Sequence, residues 1–310
     1  MRLGQSAFAV LVLWCGAAEA QQLDFKRNSR SGDEQLSFRW RDHERREHTT
    51  TFTLTKDAIR EAEASFVEFS IEAMWRHLER ELKDEVAKFG NGAAIEFQRT
   101  GDNLKWTISA RDSKQVDALS ARLAQRYNAA EKSYLAQHLR RRVDERRIMV
   151  DYAGATQGQQ GAMRAVARAL GDTPGIDNND RARIGLALAF FQEIPYALLE
   201  DKKRRGGDFL PAPALLAQNR GDCDSKAVAL AAVLRTYAPW RKLAMITMPG
   251  HALLGVDMPA QPGERTIRAQ GRQWVAVEAA GPAMAEIGAV APLTAKYLGE
   301  GREIEIWPLN

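Results

Sequence analysis

Apolar residues alternate with polar ones between Leu36 and Leu54, through Leu36, Phe38 and Trp40 and then Thr50, Phe52 and Leu54. A period of two predicts half-buried strands. From residue 56 to residue 88 the spacing changes, with Phe66, Phe69, Ile71, Met74, Leu78 and Leu82 recurring near every third or fourth place. That spacing predicts one long amphipathic helix. The same grammar follows again: Ala94 to Phe97 and Leu104 to Ile108 flank Gly101-Asp102-Asn103, a hairpin turn signal. A second long helix is expected from Ser113 to Arg146. Two ββα units result, readable as a degenerate repeat or as convergent alternation.

Ile148 to Tyr152 reads as a connecting strand, and Ala153 to Gly161, rich in Gly and Gln, as a linker. Beyond it the composition shifts toward Ala and Leu. Asp180 to Tyr196 forms an apolar helical stretch, and a charged, glycine-bearing loop runs from Glu200 to Asp208. Ser225 to Tyr237 reads as a buried helix; Lys242 to Met248, Ala252 to Val256 and Gln273 to Val277 read as strands. The expected class is α+β, with an N-terminal α+β domain over 21–152 and a second domain over 153–310.

The chain has 310 residues, 45% hydrophobic and 27% charged, with a net charge of +4. Its basic clusters, such as Arg140-Arg141-Arg142 and Lys202-Lys203-Arg204-Arg205, are interrupted or flanked by acids, which reads as solvated faces and argues against a nucleic-acid partner. His43, His48, His77 and His138 lack metal-ligand spacing and are expected on the solvated surface. Neither a metal nor another cofactor is expected. Arg2, the apolar stretch Ala7 to Ala18 and Ala18-Glu19-Ala20 read as a cleavable leader over residues 1–20. No later segment is apolar enough to span a bilayer. Removal of the leader would take Cys15 with it and leave a single thiol, Cys223, which fits a bacterial periplasm. An uncleaved leader tethering the chain to the inner membrane is the alternative.

Cys223 sits in Gly-Asp-Cys-Asp-Ser-Lys at the mouth of the predicted 225–237 helix. Unsatisfied N–H groups and the positive end of the helix dipole favour a thiolate there. An inert core thiol is the competing reading, and it fits poorly between two aspartates after a glycine turn. Asp222 and Asp224 suit helix capping better than a cation site. His251 opens one predicted strand and Glu278 closes another. In that order the three read as nucleophile, base and orienter of the base. Asp257, the rival orienter, lies too far along the histidine strand.

These residues resemble the transglutaminase-like superfamily, the branch with papain-like chemistry that includes bacterial thiol proteases. The resemblance rests on Phe190 to Tyr196, Leu215 to Lys226, Pro249-Gly250-His251-Ala252 and Trp274 to Glu278. It implies a Cys helix packed on an antiparallel sheet that carries the histidine and the acid, with Cys223, His251 and Glu278 as the triad. Glu stands where Asp is more usual, and His-Ala-Leu-Leu replaces the frequent His-Ala-Trp. Gln192 is a candidate oxyanion donor, or else a helix residue capping the approach to Pro195. The implied activity is hydrolysis of an amide bond in a protein or peptide substrate. Alternatives are protein crosslinking, or a non-catalytic binding protein on the same fold. Residues 21–152 carry no comparable signal and read as a module for docking a partner.

Overall fold

The computed structural model describes residues 22–67, 69–90, 92–100, 103–145, 147–199, 208–301 and 303–309. The expected leader and the loop 200–207 lie outside the described residues. Strands β1 (Asp24–Arg30), β2 (Asp33–Arg41) and β3 (Glu47–Thr55) form an antiparallel meander. Leu36, Phe38 and Trp40 of β2 are fully buried, and Phe52 of β3 sits opposite Leu36 on the same face. β1 is polar and largely exposed, so no alternation announces it.

Two helices follow where one was expected, α1 (Lys56–Val67) and α2 (Ile71–Phe89). Extended Ser70 accepts the Ala73 N–H at 3.0 Å, so a capping residue inside the periodic run starts a new helix. The hairpin β4 (Ala94–Thr100) and β5 (Asn103–Ser109) leads into α3 (Ser113–Gln137), capped by Asp112. α3 stops at Gln137 and not at Arg146. Leu139 takes a left-handed φ of 53°, and the chain turns into a second hairpin, β6 (Arg140–Arg142) and β7 (Ile148–Val150). Only β4–β5–α3 is therefore a ββα unit; the first is three strands and two helices.

The second half continues with α4 (Tyr152–Gly171), α5 (Asp180–Glu193), α6 (Ala212–Gln218) and α7 (Cys223–Tyr237). Residues 153–161 belong to α4 and are not a linker. Gly158 and Gly161, with open space where a Cβ would sit, each cost roughly 1 kcal/mol relative to alanine in a helix, while a Cβ at Gly154 would lie 2.4 Å from the capping Asp151 carboxylate. The helix forms because Ala155, Met163, Val166 and Leu170 are buried in the main core, where α4 packs along α7. α5 ends at Glu193 because the residue before a proline avoids helical geometry, and Ile194, before Pro195, is extended at φ −64°, ψ 130°.

A five-stranded antiparallel sheet completes the fold. It comprises β8 (Leu243–Met248), β9 (His251–Asp257), β10 (Thr266–Ala269), β11 (Arg272–Val277) and β12 (Glu305–Pro308), in the order β10-β11-β9-β8-β12. One face, with Met245, Leu254, Val256 and Val275, packs into the main core against α7. The other face, with Ala244, Ile246, Leu253 and Trp274, is covered in part by Tyr297 and Leu298 of α8 (Pro292–Glu300). Burial on both faces explains why the central strands read as continuous apolar runs. The class is α+β with antiparallel sheets. The meander shares the main core with the second half, as Phe38 and Trp40 meet the Phe190 ring edge-on at 5.2 and 5.5 Å. α2, α3 and the β4–β5 hairpin form an arm with two small cores of its own. Among the described residues no helix is long and apolar enough to cross a membrane.

Candidate functional site

Two backbone features present Cys223. Gly221 pairs in parallel with Tyr196, accepting the Ala197 N–H at 3.0 Å and donating to Pro195 O at 3.3 Å. A side chain at Gly221 would have its Cβ 2.6 Å from Leu215 Cδ1, so the approach demands glycine. Asp222 then caps α7: its Oδ1 accepts the Ser225 N–H at 3.2 Å, and Asp224 Oδ1 shares that donor at 2.8 Å. Cys223 is the first helical residue and is half-buried.

His251 opens β9 after the left-handed Gly250, at φ 71°, and Glu278 follows the last residue of β11, the strand paired with β9. His251 Nε2 lies 2.6 Å from Glu278 Oε1. The other carboxylate oxygen, Oε2, accepts from buried Thr294 Oγ1 of α8 at 3.4 Å. The imidazole is held at Nε2, which leaves Nδ1 as its other nitrogen. The N–H of Ala252, next to His251 on β9, acts on the Cys223 thiol and so places the thiol beside this strand. Burial works against a proton on His251, but the hydrogen bond and charge of Glu278 outweigh it and raise the imidazole pKa. Asp257 is paired with Arg272 Nη1 at 2.6 Å, at the opposite end of β9 from the histidine.

The thiol itself departs from the expectation of a helix-mouth thiolate. Burial, then the charges of Asp224 and Asp222, push its pKa up; the N–H groups of Ala252 and Asp224 pull the other way without offsetting them. The two carboxyls are also pushed up, Asp224 by burial and by Asp222, so the pair holds a proton more readily than isolated carboxyls would. Tyr152 Oη donates to Asp224 Oδ2 at 3.3 Å. In this arrangement the Cys223 thiol is biased toward its neutral form and the His251 imidazole toward its protonated form.

Gln192 does not serve as an oxyanion donor. Its Nε2 donates to Glu278 O at 2.7 Å and Ala285 O at 2.8 Å, and its Oε1 lies 2.9 Å from His43 Nε2. Both amide hydrogens are thereby committed. Gln192 is a buried strut that fixes the backbone of Glu278. Gly281 completes the fit, with φ at +64° and no room for a Cβ, which would lie 2.4 Å from Gln192 O.

Three further residues belong to the site. Lys226 on α7 is fully buried, and its Nζ donates to Ile194 O and to Ala280 O, the latter at 2.6 Å. A lysine opening an apolar helical run was the signal for it in the sequence. Tyr196, partly exposed, interacts with Cys223, and burial chiefly raises its phenol pKa and keeps it protonated. Thr294 carried no signal. The four N-terminal histidines are not solvated surface groups. His138 is buried with Nδ1 3.1 Å from Ser65 O, His48 pairs with Asp42 at 2.8 Å, and His43 and His77 are half-buried.

A cleft of about 390 Å³ lies between the β2–β3 loop and the start of α5, lined by His43, Arg46, Asp177, Arg181, Glu264 and Ile287 among others. Cys223, His251 and Glu278 do not line it. Among the described residues no group of three or more His, Cys, Asp or Glu side chains is arranged to hold a metal ion. Comparisons with protein-family models, with curated proteins and with solved structures found no match.

Proposed function

We propose that the chain is an exported cysteine acyl-transfer enzyme of the transglutaminase-like type that hydrolyses an amide bond in a protein or peptide. The observation that carries this reading is the 2.6 Å contact between His251 Nε2 and Glu278 Oε1, with His251 on the strand whose Ala252 N–H acts on the Cys223 thiol. Glu278 holds the ring, and the thiol proton passes to His251 as Sγ attacks the carbonyl carbon. The C=O electron pair moves onto oxygen toward the N-terminus of α7, where the N–H of the first helical residue, Cys223, has no intrahelical acceptor. Collapse of the adduct breaks the C–N bond, and the leaving amine takes the proton from imidazolium. Water, deprotonated by His251, then releases the acid and regenerates the thiol. An amine in place of water would give crosslinking.

The second reading, a binding protein on the same fold, is favoured by the surroundings of the thiol: burial, Asp224 and Asp222 bias it toward its protonated form. Iodoacetamide separates the two. If His251 activates the thiol, Cys223 alkylates at pH 7, and His251→Ala slows the reaction about a hundredfold, the lower end of general-base contributions. Equal rates in wild type and His251→Ala would overturn the enzyme reading. The arm α2–β4–β5–α3 is proposed to dock a partner, which its removal from the full chain would test by loss of capture without loss of Cys223 alkylation.

A further inference from the structure

Lys226 is a buried amine that the reaction above does not use. It lies three residues after Cys223 on α7, and side chains at that spacing share a helix face. We propose that Lys226 is a positioning residue of the Cys223 site: its Nζ fastens the Cys223 helix to the Glu278 segment and so sets the thiol against the His251–Glu278 pair. The proposal rests on the thiol chemistry argued above.

Two contacts give the fastening. Ala280 O belongs to the chain leaving Glu278, and Ile194 O to the chain leaving α5, which pairs with Gly221 through Tyr196. Lys226 thus ties α7 to both strips that flank its N-terminus. Gln192 holds Glu278 O from α5, so the backbone of residues 278–280 is pinned at two carbonyls by two buried side chains. A buried carbonyl needs a donor, and an apolar side chain of similar length would fill the space without supplying one.

The fastening does not need the charge. Burial chiefly brings the lysine down to about 7, against Asp222 and Cys223 of α7 and Glu193 at the end of α5, and the Tyr196 ring lies 6.0 Å from Nζ. Charged or neutral, the amine keeps enough N–H donors for both carbonyls.

The test is the rate of Cys223 alkylation by iodoacetamide in the full chain at pH 7, with Lys226→Met and Lys226→Gln beside wild type. Met removes every N–H donor; Gln retains an N–H donor. Folded Lys226→Met should alkylate about tenfold more slowly than wild type, and Lys226→Gln should recover part of that loss. A folded Lys226→Met with lowered thermal stability and a wild-type rate would make Lys226 a packing residue only and overturn the proposal, as would equal losses in the two variants. If His251→Ala alkylates like wild type while Lys226→Met is slow, the enzyme reading fails and the Lys226 positioning stands.

Discussion

α7 and the arm helix α2 are built from the same period, yet they treat charge in opposite ways. Every residue of α7 from Ser225 to Leu234 is buried, Lys226 among them. α2 buries only Met74, Trp75, Leu78, Leu82 and Val86, and turns its acids toward arginines at the surface of the arm. Arg99 meets Glu79 at 2.7 Å and Arg122 meets Glu85 at 2.7 Å, each arginine side chain more than two-fifths exposed. A charge on an amphipathic helix keeps its water, and its partner is replaceable. A charge inside α7 has exchanged its water for named acceptors. Substitutions near α7 should therefore propagate, and those on the arm should stay local.

Two left-handed glycines give the largest contrast. Gly281 has φ +64° and its Cβ would strike Gln192 O, whereas Gly92 has φ +70° and no atom within 4 Å. Gly92→Ala should cost about 1 kcal/mol, the backbone penalty alone. Gly281→Ala carries the same penalty plus a backbone collision, and should cost on the order of 2–4 kcal/mol. It should also slow Cys223 alkylation, because Gln192 holds Glu278. Chemical denaturation of both variants measures the gap; equal losses would break the contrast between the regions.

The His251–Glu278 pair should show the next largest effect, with a defined sign. Glu278 raises the imidazole pKa, so the folded chain binds the proton more tightly than the unfolded chain. That stability is complete below the unfolded histidine value, about 6.5, and is lost as pH rises through the folded value. Glu278→Gln should cost roughly 1–3 kcal/mol at pH 5.5, as expected for losing a hydrogen bond to a charged group. The loss should shrink by pH 9. Thermal unfolding across that range checks it, and a loss that grows with pH would reverse the assignment.

Legibility divides along the same line. The buried face of β2, the β4–β5 hairpin, the strand carrying His251 and the strand that leads into Glu278 follow from period and turn signals. The break at Ser70 and the helix over 153–161 were hidden for opposite reasons. A single capping residue interrupted a strong period at Ser70, while tertiary burial overrode three glycines in α4. At the site, Cys223, His251 and Glu278 were visible as residue types in order. The roles of Gln192, Lys226 and Thr294 were not, because each depends on backbone carbonyls or side chains far away in sequence. Gln192 bonds to Glu278 and Ala285, and Lys226 to Ile194 and Ala280. The direction of the Cys223 shift was missed likewise, since dipole and capping are local while burial is not.

The smallest effect belongs to Arg99 and Glu79. Their hydrogen bond chiefly lowers the Glu79 pKa, so its stability is present above the unfolded carboxylate range and is lost as pH falls, opposite in sign to His251. Arg99 is exposed at the rim of the hairpin, where water and salt screen the pair, so a double-mutant cycle with Arg99→Ala and Glu79→Ala should give a coupling of about 0.2–1 kcal/mol. One molar salt, with a Debye length near 3 Å, should remove most of it. The His251–Glu278 pair is shielded by burial and should keep its pH signature under the same salt. If the Arg99–Glu79 coupling instead exceeded 2 kcal/mol and survived salt, the arm would have to be treated as the interior is, with each surface charge assigned a fixed partner.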